Sequence, residues 1–190
     1  MLVLASTSPF RQALLQRLQL PFETFNPNVD ESSQLNENPK DLVQRLAILK
    51  AQAAQSSYPN ALIIGSDQVA VVENQILGKP LTHDKAVEQL AFLSGKKVVF
   101  QTGLCVLNTK TKETLVDLIS FTVKFRSLNL EQIENYLHKE PAYNCAGSFK
   151  SESLGIALVE SMEGNDPNAL IGLPLIRLIQ MLEHFGLKVI

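Results

Sequence analysis

The chain has 190 residues, 45% hydrophobic and 19% charged, with a formal net charge of −2 and a pI near 5.9. Such a length and composition suit one soluble domain with a sizeable core. There is no basic excess to neutralise a polynucleotide, no apolar run near the roughly 18 residues of a membrane helix, and no signal-peptide pattern at the start.

The first apolar run, Leu2 to Ala5, reads as a buried strand. Ser8 is a good helix N-cap, Pro9 then falls at the first helical position, and Leu14, Leu15 and Leu18 follow at helical spacing. Phe22 to Phe25 alternates like a strand, and residues 31–38 read as a mobile polar loop. A helix is predicted from Pro39 to Ser56, with Lys50 at the edge of its apolar face. Ala61 to Gly65 reads as a strand buried on both sides, ending in Ser66-Asp67-Gln68. Val69 to Val72 continues as a strand, and Glu73 to Gln75 turns it back through Ile76. A helix from Thr82 or Asp84 to Leu93 precedes two long strands, Lys97–Asn108 and Thr114–Phe125, joined as an antiparallel hairpin. Further predictions are a helix over Leu130–His138, a Gly- and Ser-rich loop over Ala146–Glu152, and a short strand over Ile156–Val159. One last helix runs from Asp166 to His184. No repeat or linker divides the chain, so it reads as a single mixed α/β domain over residues 1–190.

Cys105 and Cys145 form no C-x-x-C and fit a reducing cytosol. His83, His138 and His184 are scattered and make no H-E-x-x-H, which reads against a zinc site.

A helix N-terminus presents free N–H groups and positive dipole charge, and Arg11 in the first turn adds a bidentate donor, so Ser8 to Arg11 suits a phosphate. An ordinary capped helix with a surface arginine is the plainer reading of those residues alone. Asp67, placed at the end of a buried strand, is the foremost candidate for chemistry: a carboxylate there can hold Mg²⁺ or take a proton from water. Glu31 or Asp30 is the candidate for a second carboxylate. Lys50 and Lys79 complete a balance of cations for phosphates and carboxylates for a metal. There is neither G-x-x-x-x-G-K-[ST] nor G-x-G-x-x-G, so the P-loop and dinucleotide-binding readings lose their support.

Seven blocks in order resemble the Maf nucleotide pyrophosphatases: Ala5 to Arg11, Val29-Asp30-Glu31, Leu46 to Ala51, Gly65 to Val69, Gly78-Lys79-Pro80, Cys145 to Glu152 and Gly172-Leu173-Pro174. The resemblance implies an α/β, Maf/ITPase-like fold with a long twisted mixed sheet flanked by helices, two lobes around a central cleft, and a homodimer in the cytoplasm. It implies hydrolysis of a nucleoside triphosphate to the monophosphate and pyrophosphate with Mg²⁺ or Mn²⁺. Asp67 resembles the general base and, with Glu31, the metal ligands. Ser8, Arg11, Lys50 and Lys79 resemble the triphosphate-binding set.

The family divides by substrate at the positions of Phe10, Gln68 and Glu152. Phe, Gln and Glu resemble the branch acting on 7-methyl-GTP rather than the branch acting on dTTP and UTP. A methylated, cationic guanine gains from an aromatic face, and a carboxylate accepts guanine's N–H groups while repelling pyrimidine carbonyls. Two other readings remain open at this point. One is the same chemistry on dTTP, UTP or another modified nucleotide. The other is a nucleotide-binding regulator of cell division with little turnover.

Overall fold

The computed structural model describes all residues, Met1–Ile190. Its seven-stranded mixed sheet has the order β2-β1-β3-β5-β6-β7, with β4 paired to β3. Those strands are β1 (Leu2–Leu4), β2 (Glu23–Thr24), β3 (Leu62–Val72), β4 (Gln75–Leu77), β5 (Lys97–Asn108), β6 (Thr114–Phe125) and β7 (Val159–Glu163). The helices are α1 (Pro9–Gln16), α2 (Pro39–Ala53), α3 (His83–Leu93), α4 (Leu130–Lys139), α5 (Pro167–Ile171) and α6 (Leu175–His184). Two compact units share the chain: the first holds Met1–Gln68, Gln101–Ile119 and Asp166–Ile190, the second Val69–Phe100 and Ser120–Asn165.

In the first unit β1 is buried on both faces, as its unbroken apolar run predicts. Leu2 and Leu4 pack with Leu14, Leu15, Ile64, Leu104, Leu173 and Leu178, where α1 and α6 cover the sheet. Val3 and Ala5 point the other way, into Ala47, Ala51, Ile63, Cys105 and Leu107 under α2. Helix α2 lies flush on two glycines. A Cβ on Gly65 would sit 2.0 Å from the Ala47 carbonyl oxygen, and one on Gly103 would sit 2.2 Å from that of Val43. Any larger residue at either strand position would lift the helix and the lysine it carries.

In the second unit β3 turns into β4 through Glu73 and Asn74, both at positive φ (49° and 66°), as a two-residue hairpin requires. Helices α3 and α4 pack together, capped by Thr82 and by an Asn129–Gln132 capping box.

Four expectations are corrected. Residues 61–72 are not two strands parted at Ser66-Asp67-Gln68. Strand β3 runs unbroken through them, so Asp67 is inside a strand. The partner β1 pairs only as far as Leu4↔Ile64, which leaves Asp67 beyond the carboxyl end of its parallel neighbour. Phe22–Phe25 shrinks to Glu23–Thr24, because β1 offers only Val3 and Leu4 as partners. The segment expected as a strand over 156–159 is a 3-10 turn, Leu154–Leu158, and β7 begins at Val159, where pairing with Phe125 begins. The last helix is two. It stops at Gly172, which takes φ 115°, and restarts after Pro174, which has no N–H to continue it.

Candidate active site

Within the first unit, three sequence elements meet at one buried ammonium. Lys50, near the end of α2, places its Nζ 2.7 Å from Asp67 Oδ1 on β3 and 2.6 Å from Glu31 Oε1 in the loop before α2. The lysine and aspartate side chains are only 6% and 10% exposed, whereas that of Glu31 is 61% exposed. The sequence placed Lys50 at the edge of the helix face; the close approach of α2 to Gly65 carries it under the face, where a carboxylate must meet it.

Arg11 is held by two oxygens. Its Nε donates to the Gly172 carbonyl at 2.9 Å and its Nη1 to Ser6 Oγ at 3.5 Å, which leaves Nη2 for a further acceptor. Burial lowers the guanidinium's pKa, and Asp67 and then Glu31 offset only part of that, so the three charges feel one another. The Gly172 carbonyl is available because the helix breaks there. It also lies 2.9 Å from the Ser66 hydroxyl, as does the Gly103 carbonyl. Ser8 caps α1 by accepting the Arg11 amide at 3.4 Å. Capping uses the hydroxyl as an acceptor and leaves its proton to be donated. Phe10 is half-buried in the first turn of α1.

Gln68 follows Asp67 with its amide nitrogen 2.6 Å from the Ala169 carbonyl, 3.2 Å from that of Leu170 and 3.0 Å from Thr102 Oγ1. Thr102 gives its own proton to Ala169 at 2.9 Å, so it accepts from Gln68. All these contacts fall on nitrogen, which fixes the amide plane and turns the carbonyl oxygen away from them.

The loop over residues 31–38 is hydrogen-bonded to α2 at Ser32 and Glu37. Arg45 on α2 forms a bidentate pair with Glu37 (2.6 and 2.7 Å) and donates to the Ser32 carbonyl at 3.0 Å. Asp30 accepts from the Ser32 amide and hydroxyl, which lowers its pKa, and these two residues flank Glu31.

The other two expected site residues belong to the second unit. Lys79 is exposed and lines a cavity of about 400 Å³ with Lys85, Glu88, Gln89 and Phe92. Glu152 is exposed, with Ser151 Oγ 3.4 Å from its carboxylate. Burial first, and Glu152 next, push the Cys145 thiol up to about 11, while Lys150 and Lys79 pull the other way. The structure thus groups Ser8, Phe10, Arg11, Glu31, Lys50, Asp67 and Gln68 on one unit, and Lys79 and Glu152 on the other. Sequence reasoning missed Ser66, Thr102 and Arg45. Only the break at Gly172-Leu173-Pro174 left a readable signal of how Arg11 is held.

Two carboxylate oxygens converging on one cation are what a Mg²⁺ or Mn²⁺ ion also asks of a protein, so Glu31 and Asp67 fit as its ligands.

A family model described as Maf-like protein matches residues 1–185. A protein of Methylobacillus flagellatus named 7-methyl-GTP pyrophosphatase is 58% identical over 189 residues, covering 100% of this chain and 98% of its own. One of Colwellia psychrerythraea with the same name is 57% identical, over 100% of this chain and 94% of its own. Among solved structures, a Staphylococcus aureus Ham1 protein covers 66% of this chain and 72% of its own, at 15% identity and a TM-score of 0.47.

Proposed function

Because the chain belongs to the Maf-like family, we propose that it is a pyrophosphatase that hydrolyses 7-methyl-GTP to 7-methyl-GMP and pyrophosphate. The observation that carries this reading is the buried Lys50–Asp67 pair with Glu31 on the same ammonium. The names of the full-length relatives support the substrate.

In this reading Asp67 orients a water and takes its proton as the oxygen attacks the α-phosphorus. Lys50 already engages Oδ1, so Oδ2 is the oxygen that receives the proton. The bond from the α-phosphorus to the bridging oxygen breaks, and pyrophosphate leaves with that oxygen. Ser8 and the free Nη2 of Arg11 hold phosphate oxygens, with Lys50 supplying positive charge beside them and Lys79 a further cation. A divalent ion held by Glu31 and Asp67 would supply charge neutralisation and polarise the phosphate. Phe10 stacks on the cationic base, Gln68 offers its fixed carbonyl oxygen to N–H groups, and Glu152 accepts from the guanine edge. A homodimer in the cytoplasm, acting on free nucleotides and not on nucleic acid, completes the reading. No helix is long and apolar enough to cross a membrane.

The test is pyrophosphate release across 7-methyl-GTP, GTP, dTTP, UTP and CTP, with and without Mg²⁺ or Mn²⁺. Preferred, metal-dependent turnover of 7-methyl-GTP supports the assignment. Faster turnover of UTP or dTTP overturns the substrate, and tight binding without turnover overturns the activity.

A further inference from the structure

The second unit gathers two histidines that are 55 positions apart in the sequence. His83 opens α3, while Glu134 and His138 sit one turn apart on α4. Glu134 Oε2 lies 2.8 Å from His83 Nε2 and 3.8 Å from His138 Nδ1, and the three ligand atoms all fall within 4.8 Å of one another. The imidazole rings are 5.4 Å apart and nearly perpendicular. We propose that His83, Glu134 and His138 form a binding site for a divalent transition ion of the Zn²⁺ class, separate from the nucleotide-processing residues.

Four features support a site rather than a chance cluster. Two imidazoles and one carboxylate favour Zn²⁺, Co²⁺ or Ni²⁺ over Mg²⁺ or Ca²⁺, which prefer all-oxygen ligands. In a tetrahedral site with bonds near 2.1 Å the ligand atoms stand about 3.4 Å apart, between the two separations seen at Glu134. Tyr143 holds the far nitrogen of the His83 ring, its hydroxyl 3.0 Å from Nδ1. A tyrosine hydroxyl either donates or accepts, so it can accept a hydrogen bond from Nδ1–H when Nε2 binds a metal, as the outer partners of metal-bound histidines do. Finally, His138 is 71% exposed, which gives it room to close on the ion and leaves solvent for the fourth position. The ion would tether the start of α3 to α4, across the 51 positions that separate His83 from Glu134. It shares no residue with Glu31, Lys50 or Asp67.

The untagged full chain is titrated with Co²⁺ and followed by visible absorption, then back-titrated with Zn²⁺. The expected result is one equivalent of Co²⁺ with a nitrogen-ligand spectrum, displaced by Zn²⁺. Affinity should fall at least about tenfold in His83→Ala, Glu134→Gln and His138→Ala, and stay unchanged in His184→Ala. Zn²⁺ should raise Tm by about 5 °C in the parent chain and not in His138→Ala, whose exposed side chain can be removed without disturbing packing. Binding that survives in His83→Ala and His138→Ala, or is lost instead in Glu31→Gln, overturns the proposal. So does the absence of any Co²⁺ spectrum.

Discussion

Arg11 and Gly172, 161 positions apart, are joined by one hydrogen bond of 2.9 Å from the arginine Nε to the glycine carbonyl. That carbonyl is available because Gly172 takes φ 115° and ends a helix there. Replacing Gly172 with alanine forces a side chain into a backbone region that costs of order 1–3 kcal/mol, a Tm loss of roughly 2–10 °C. Arg11 loses its anchor at the same time. We expect kcat/KM for the nucleotide to fall in Gly172→Ala at temperatures where the protein is still fully folded. Unchanged kinetics beside a lowered Tm would separate the glycine from the arginine's function.

Asp67→Asn should abolish pyrophosphate release, by about 10²–10⁴-fold if general-base catalysis is what is lost. Lys50 then keeps only the exposed Glu31 as an ionic partner. Lys50→Met should be the more damaging to the fold, since it leaves Asp67 buried without its cation, at about 3 kcal/mol. Denaturation and steady-state assays on both variants test the pair; equal stability of Lys50→Met and the parent chain would remove the pair from the core's energetics.

Thr102 accepts from the Gln68 amide nitrogen. Thr102→Val keeps the shape and removes the acceptor, at about 1 kcal/mol. The expected kinetic signature is a raised KM for 7-methyl-GTP with kcat nearly intact. A drop confined to kcat would show that Gln68 is not reading the base.

Glu152→Gln should lower kcat/KM for 7-methyl-GTP and raise the relative use of UTP, because a neutral amide no longer repels pyrimidine carbonyls. The ratio of the two kcat/KM values is the measurement, and an unchanged ratio excludes Glu152 from base recognition.

Glu37 gives a pH signature. The hydrogen bond from Arg45, and then that from the Gln34 amide, pull its carboxyl from 4.5 down to about 2. Folded chain then binds fewer protons here than unfolded chain, so stability rises with pH through that interval. The contribution is complete above about pH 4.5 and lost as pH falls through about 2. Tm measured from pH 5 to 2 should fall less steeply in Glu37→Gln than in the parent chain. Parallel slopes would mean that this carboxyl titrates alike in folded and unfolded chain, so that the Arg45–Glu37 pair adds nothing to stability.

Much of this was legible in the sequence, and the parts that were not share a physical cause. The strands over 97–108 and 114–125 and the cap at Ser8 follow from local period and turn chemistry and stand where expected, and of the two starts offered for the helix before Leu93 the structure takes Thr82, as its cap. The place of Asp67 after a buried apolar run was readable. Its position inside β3 was not, because where a strand ends depends on the length of its neighbours. Lys50 looked like an edge residue because sequence cannot say how closely a helix approaches a sheet, which Gly65 and Gly103 decide. The Arg45–Glu37 clamp spans a helix cap at a separation of eight residues, outside the three- and four-residue spacing that marks helical pairs. His83 and His138 looked scattered for the same reason: only the packing of α3 on α4 makes them neighbours.

The first unit is assembled from three separate stretches, and its last begins at Asp166. During synthesis Lys50 and Asp67 emerge early, whereas the carbonyl that anchors Arg11 arrives only with residue 172. A growing chain therefore carries the arginine without its anchor while the 161 positions that part it from the glycine are made. Products of premature termination before that glycine lack a set guanidinium, so the arginine is fixed in place only after the whole second unit has been made.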